Sequence, residues 1–191
     1  MITIVSGLPR CGTSLMMRML EKGGLPILSD GVRAADEDNP KGYYEFEAVK
    51  QIKEDASFLD QADGKVFKMV SQLLYDLPES PRYQYKILFM HRDLDEMMAS
   101  QNKMLERRGE PLAPDDDRMK RLFEKHLEQM SGWLADRPDI EVLDVSYNAL
   151  MRDPAPIVPE VVRFLGDTLD AGAMLGAIDP SLYRNRSQHI A

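Results

Sequence analysis

One cysteine, one tryptophan and three histidines are all that this chain of 191 residues carries of those types, and each scarcity removes a class of explanation. A single cysteine cannot form an internal disulfide, and no set of Cys and His residues has the spacing of a structural zinc site. His91, His126 and His189 are widely scattered. The expected setting is therefore reducing and cytoplasmic. No apolar run approaches the roughly 20 residues that cross a bilayer, and the opening MITIVSG lacks the basic start of a secretion signal. Positive charge is also in deficit, with 24 Lys and Arg against 32 Asp and Glu and a net charge of −8. That balance argues against a nonspecific nucleic-acid or membrane-surface binder, so any anionic ligand must be held by a local basic site. No repeat, low-complexity tract or linker breaks the chain, which reads as one domain over residues 1–191, with homo-oligomers left open.

What is present alternates strands with helices. ITIV is a β-branched run ending at Gly7, and TSLMMRMLEKGG places Leu15, Met16, Met19 and Leu20 at helical spacing before Gly23 and Gly24. KVFKMV and YKILFM are further strands, the latter apolar enough for a buried parallel position. Asp93 is a candidate N-cap for a helix with Leu94, Met97, Met98, Gln101, Met104 and Leu105 on one face. APDDDRMKRLFEKHLEQMSGWLADRP predicts the clearest helix, with a stripe of Met119, Leu122, Phe123, His126, Leu127, Met130, Trp133 and Leu134. IEVLDVSY is a fourth strand, and PAPIVPEVVRFLG a helix ended by Gly166. A helix is also expected from about Phe46 to Leu59. The alternation gives an α/β fold class with a central, mainly parallel sheet flanked by helices; the three-layer, P-loop-type form of it is what the glycine loop and the family resemblance described next imply.

The first strand runs into SGLPRCGTS, which nearly spells a phosphate-binding G-x-x-x-x-G-K-[ST] loop. Gly7, Gly12 and Ser14 fall into place, but Thr13 stands where the lysine belongs. Glycines let backbone amides approach an anion, and the first helical turn directs its unpaired N–H groups at it. Arg10 supplies the missing charge from inside the loop, with a fork suited to phosphate or sulfate oxygens. Cys11 as a phosphatase-type nucleophile requires C-x5-R, and Arg18 lies one residue too far.

PRCGTS, Pro9 to Ser14, resembles the 5′-phosphosulfate loop of the sulfotransferases that use 3′-phosphoadenosine 5′-phosphosulfate, with Cys11 in place of a hydroxyl residue. A second likeness is Arg92 at a strand end with Ser100 eight residues on, the spacing with which that family grips the 3′-phosphate of its donor. VLDVSYNALMRDPAPIVPEVVRFLG is similar to a late structural segment of the same enzymes. The resemblance implies that Arg10, Cys11 (through its backbone amide), Gly12, Thr13 and Ser14 hold the phosphosulfate and Arg92 and Ser100 the 3′-phosphate. It also implies that PSLYRNR brings Arg184 or Arg186 to the donor, and that no metal is needed.

Sulfuryl transfer asks for an in-line geometry, charge on the leaving phosphate and a base for the acceptor. Arg10 is the catalytic cation. The long loop after the first helix contains no histidine but offers Asp30, Asp36, Glu37, Asp38, Glu45 and Glu47. Glu45, beside Tyr43 and Tyr44, is the candidate base, with Asp30 as runner-up. Two other readings stay open at this point. One is a kinase or nucleotide hydrolase using Asp144 and magnesium, and the other is a binding module without chemistry. The acceptor pocket is expected from the loops around Val32 to Tyr44 and Arg107 to Asp117.

Overall fold

A computed structural model describes residues 1–31, 36, 39, 41–112 and 116–183. Its centre is a four-stranded parallel sheet in the order β2-β1-β3-β4. β1 is Ile2–Gly7, β2 Val66–Lys68, β3 Tyr85–His91 and β4 Ile140–Ser146. Every residue of β1 is buried, as a strand covered on both faces requires. β1 meets β3 from Ile2 against Tyr85 to Gly7 against Met90, and its other edge aligns Val5 with Lys68. Both β1 and β3 therefore end at one edge of the sheet, with chain direction branching between them. Such a branch point is where open α/β sheets leave a crevice.

Alternation along the strands divides the core in two. Ile2, Ile4, Phe67, Ile87 and Phe89 face one side, where Phe58, Met130 and Leu134 join the same cluster. Val5, Leu88, Met90 and Val145 face the other, against Met16, Met17, Met19 and Leu20. The second layer comes from α1 (Thr13–Lys22), α4 (Tyr147–Arg152), α5 (Ile157–Phe164) and α6 (Ala171–Gly176). The first side carries α3 (Asp116–Ala135), joined to β3 through α2 (Leu94–Arg108). Methionine fills much of this interior, its flexible thioether fitting irregular gaps. The expected α/β architecture is present.

Two local expectations are overturned. The segment from Phe46 to Leu59 forms not one helix but two 3-10 turns, Glu47–Gln51 and Ser57–Gln61. Between them the Asp55 carboxylate accepts the Ser57 N–H at 2.8 Å, a local bond that competes with helix continuation. The α3 stripe also misplaces Leu122, which is 50% exposed. Met119, Phe123 and Leu127 pack toward Met97 and Met98 of α2, and Leu122 falls outside that narrow contact. The expected Asp93 cap is present, its carboxylate accepting the Glu96 N–H at 3.0 Å. The buried face of α2 includes Glu96 and Ser100 as well as methionines, so two polar groups one turn apart are folded inward.

Candidate functional site

The β1–α1 turn brings backbone and charge together at the branch point of the sheet. Gly7 and Gly12 adopt φ values of 145° and 97°, conformations open to glycine. A Cβ on Gly7 would stand 2.5 Å from the Met90 carbonyl oxygen, and one on Gly12 would stand 2.3 Å from the Tyr147 ring. Close packing thus demands glycine at both positions. Arg10 itself is left-handed, with φ 67°. Its carbonyl oxygen accepts from Arg92 at 3.1 Å, and its Nε donates to the Ser100 hydroxyl at 3.2 Å. The loop cation and the pair Arg92 and Ser100, 82 and 90 residues further along the chain, form one contiguous cluster.

Arg92 is held firmly. Its side chain is 7% exposed and lies 3.4 Å from the buried Glu96 carboxylate. Tyr147 and Tyr183 present their rings 4.7 and 5.8 Å from its guanidinium. Glu96 also receives the Asn148 amide and the Tyr183 hydroxyl, each at 2.9 Å. Sequence reasoning missed Glu96, Asn148, Tyr147 and Tyr183. The only signal for Glu96 was its position four residues after Arg92. Lys68, at the end of β2, was missed too. Its Nζ is 3.4 Å from the Ser14 hydroxyl and 5.9 Å from the centre of the Tyr43 ring.

These groups line a cavity of about 640 Å³. Arg10, Lys68 and Arg92 line it together with Arg18, Lys41, Lys50, Lys103, Arg107 and Arg108, among apolar residues that include Phe46, Val49, Leu73, Met104 and Met151. Against these nine cations stand two lining acids, Glu45 and Asp179. In a protein of net charge −8, positive charge has been gathered into one place, and the resulting field draws anions.

The other sequence candidates separate clearly. Cys11 is 2% exposed, and burial pushes its thiol up to about 12, so it stays a neutral thiol with its sulfur packed near Gly7. Glu45 is on the cavity wall. Asp30 is not among the lining residues; its carboxylate accepts the Glu47 N–H at 2.6 Å, and its own N–H donates to the Glu45 carbonyl at 3.1 Å. The Tyr43 hydroxyl turns to Asp36 and the Tyr44 hydroxyl to Glu21, at 2.6 and 2.8 Å. Asp36 and Glu47 are engaged with Tyr43 and Lys50. Asp144 sits exposed at the sheet edge, 2.6 Å from His91 and away from the cavity lining. A magnesium site of the nucleotide-hydrolase kind needs an acid near the loop hydroxyl, and beside Ser14 stands Lys68 instead. No group of three or more potential metal-binding His, Cys, Asp or Glu residues occurs among the described residues. Glu37, Asp38, Arg184 and Arg186 lie outside the described residues.

A family model described as the sulfotransferase family matches residues 43–171, more than half of the chain. The protein belongs to the sulfotransferase family. The matched segment begins after the glycine loop, so the loop geometry and the family match are separate observations. Among solved structures, the sulfotransferase domain of the olefin synthase of Synechococcus PCC 7002 aligns at 16% identity and TM-score 0.54, over 100% of this chain and 89% of that one. A sulfotransferase from Alicyclobacillus acidocaldarius aligns at 17% identity and TM-score 0.49, over 94% and 87%. A sugar kinase from Janibacter sp. HTCC2649 aligns at 14% and 0.43, over 94% and 96%. No curated protein sequence matches the chain. The Synechococcus alignment shows that this sulfotransferase shares its fold along the whole chain. No helix among the described residues is long and apolar enough to cross a membrane.

Proposed function

We propose that this sulfotransferase takes its sulfuryl group from 3′-phosphoadenosine 5′-phosphosulfate and passes it to a hydroxyl or amine acceptor. The observation that carries the reading is the single cluster in which Arg92 fixes the Arg10 carbonyl and Arg10 reaches Ser100. A nucleotide with phosphoryl groups at both its 3′ and 5′ positions fits such joined cationic sites, and the nine lining cations offset its charge. When bound, the donor supplies an activated sulfuryl group on a phosphate leaving group.

Each remaining role falls to a side chain already in place. The first N–H groups of α1, with Arg10, stabilise charge developing on the leaving phosphate oxygen. Lys68, held between Ser14 and the Tyr43 ring, adds a compact point charge beside the hydroxyl of the glycine loop. Glu45 takes the acceptor proton as the new bond to sulfur forms and the bond from sulfur to the phosphate oxygen breaks. Asp30 is the weaker candidate because its carboxylate already caps the Glu47 turn. Val49, Leu73 and Met104 offer the acceptor an apolar wall.

The direct test is titration calorimetry with adenosine 3′,5′-bisphosphate, the product nucleotide. Saturable binding without added metal is expected. No heat up to millimolar nucleotide overturns the donor assignment.

A further inference from the structure

Arg92, the cation proposed for the 3′-phosphate, has a counter-charge built in behind it. The Glu96 carboxylate, one turn further along α2, is 3% exposed, and its Oε2 accepts from the Arg92 Nε and Nη2, each at 3.4 Å. Oε2 also receives the Asn148 amide of α4, and Oε1 the Tyr183 hydroxyl, each at 2.9 Å. Asn148 is fixed in turn: its side-chain carbonyl accepts the Asp93 N–H at 2.8 Å, and its amide also reaches the Tyr183 oxygen at 2.9 Å. Three separate parts of the chain thus converge on one carboxylate. Arg92 and Ser100 line the cavity, whereas Glu96, between them in sequence, does not. It acts on a ligand through Arg92 and through the charge it carries.

A buried guanidinium without a counter-charge is costly, so an enzyme that stands empty between turnovers needs an acid for Arg92. The same acid opposes an arriving phosphate. A phosphate gripped by the cavity-facing edge of the guanidinium stays within about 10 Å, one Debye length, of the carboxylate, and the repulsion is little screened. We propose that Glu96 is a positioning residue with two opposed effects: it holds Arg92 in place in the empty enzyme, and it weakens the grip on the 3′-phosphate so that the product nucleotide leaves. This inference rests on the bisphosphate nucleotide assigned above. An acid with a purely structural role has one effect only, because its loss disorders Arg92 and weakens fold and binding together.

The experiment measures stability and binding on the same variants. Glu96→Gln keeps the shape of the side chain and removes its charge. Without ligand it should melt about 5 °C below wild type, because Arg92 has lost its counter-charge. In calorimetry it should nevertheless bind adenosine 3′,5′-bisphosphate about tenfold more tightly, and stopped-flow kinetics should place the gain in slower dissociation. Adenosine 5′-phosphate, which lacks the 3′ group, should bind both proteins alike. Tyr183→Phe keeps the ring beside Arg92 and takes one donor from the carboxylate, leaving its charge less dispersed. It should weaken bisphosphate binding about threefold.

Equal or weaker bisphosphate binding by Glu96→Gln overturns the inference and leaves the donor assignment standing. A matching gain for the 5′-monophosphate overturns it as well, since the charge would then act on the whole cavity rather than through Arg92. Should Glu96→Gln not fold, Tyr183→Phe decides, and unchanged or tighter binding by that variant overturns the inference. Failure of wild type to bind the bisphosphate overturns the donor assignment and this inference together.

Discussion

Arg137 and Arg18 are both buried arginines, 8% and 9% exposed, placed toward opposite edges of one sheet and treated in opposite ways. Arg137 precedes β4 and is closed within the protein. It donates to both Asp139 carboxylate oxygens at 2.7 and 2.6 Å and to the Leu77 and Pro78 carbonyls, with its guanidinium 4.9 Å from the Trp133 ring. Arg18, at the cavity edge, keeps an unsatisfied Nε. Arg92 is intermediate, paired with Glu96 yet still lining the cavity. The same residue type serves as a structural rivet where each of its guanidinium nitrogens meets a carbonyl or carboxylate, and lines the cavity where it does not.

The sharpest way to break this contrast is Arg137→Ala. It strands the Asp139 carboxylate, with a loss of about 3–5 kcal/mol expected in chemical denaturation. Nucleotide affinity of the folded variant should be unchanged. The pair also has an acid signature: its hydrogen bonds with Arg137 hold the Asp139 carboxyl below its usual range. Its contribution is therefore complete above about pH 4, the unfolded value, and is lost as pH falls through the lower folded value. Arg137→Ala should flatten that acid limb.

Next in size is Glu45→Gln, at the cavity edge. A panel of simple alcohols, phenols and amines, assayed with the sulfuryl donor, should show a rate at least about a hundredfold lower than wild type. Bisphosphate affinity should hold, and an unchanged rate removes Glu45 as the base. Smallest is Arg10→Ala, expected to weaken bisphosphate binding about tenfold while unfolding free energy moves by less than about 1 kcal/mol. Should Arg10 instead prove as costly to stability as Arg137, the division between closed and open arginines fails.

Much of this architecture is written locally in the chain. ITIV, the glycine loop and the methionine-lined helix follow one another within Ile2–Lys22, and Asp93 caps α2 as its sequence suggests. The less legible parts depend on distant pairing. Lys68 reaches Ser14 because β2 registers Lys68 against Val5, a pairing across more than sixty residues. Glu96 reads as a surface helical acid, since glutamate is rarely buried unless paired. Its pairing involves Arg92, Asn148 and Tyr183, from three separate parts of the chain. The helix expected from Phe46 to Leu59 is broken where the Asp55 carboxylate accepts the Ser57 N–H, a local bond that the expectation did not weigh.

Tyr147 fills the space beside Gly12 while its ring lies against Arg92. A side chain at position 12 would have to displace the ring that covers Arg92 and would also have to hold a left-handed backbone at φ 97°. Position 12 is therefore tied to glycine twice, by backbone conformation and by the ring, and shrinking Tyr147 would lift only the second tie while stripping an aromatic neighbour from Arg92.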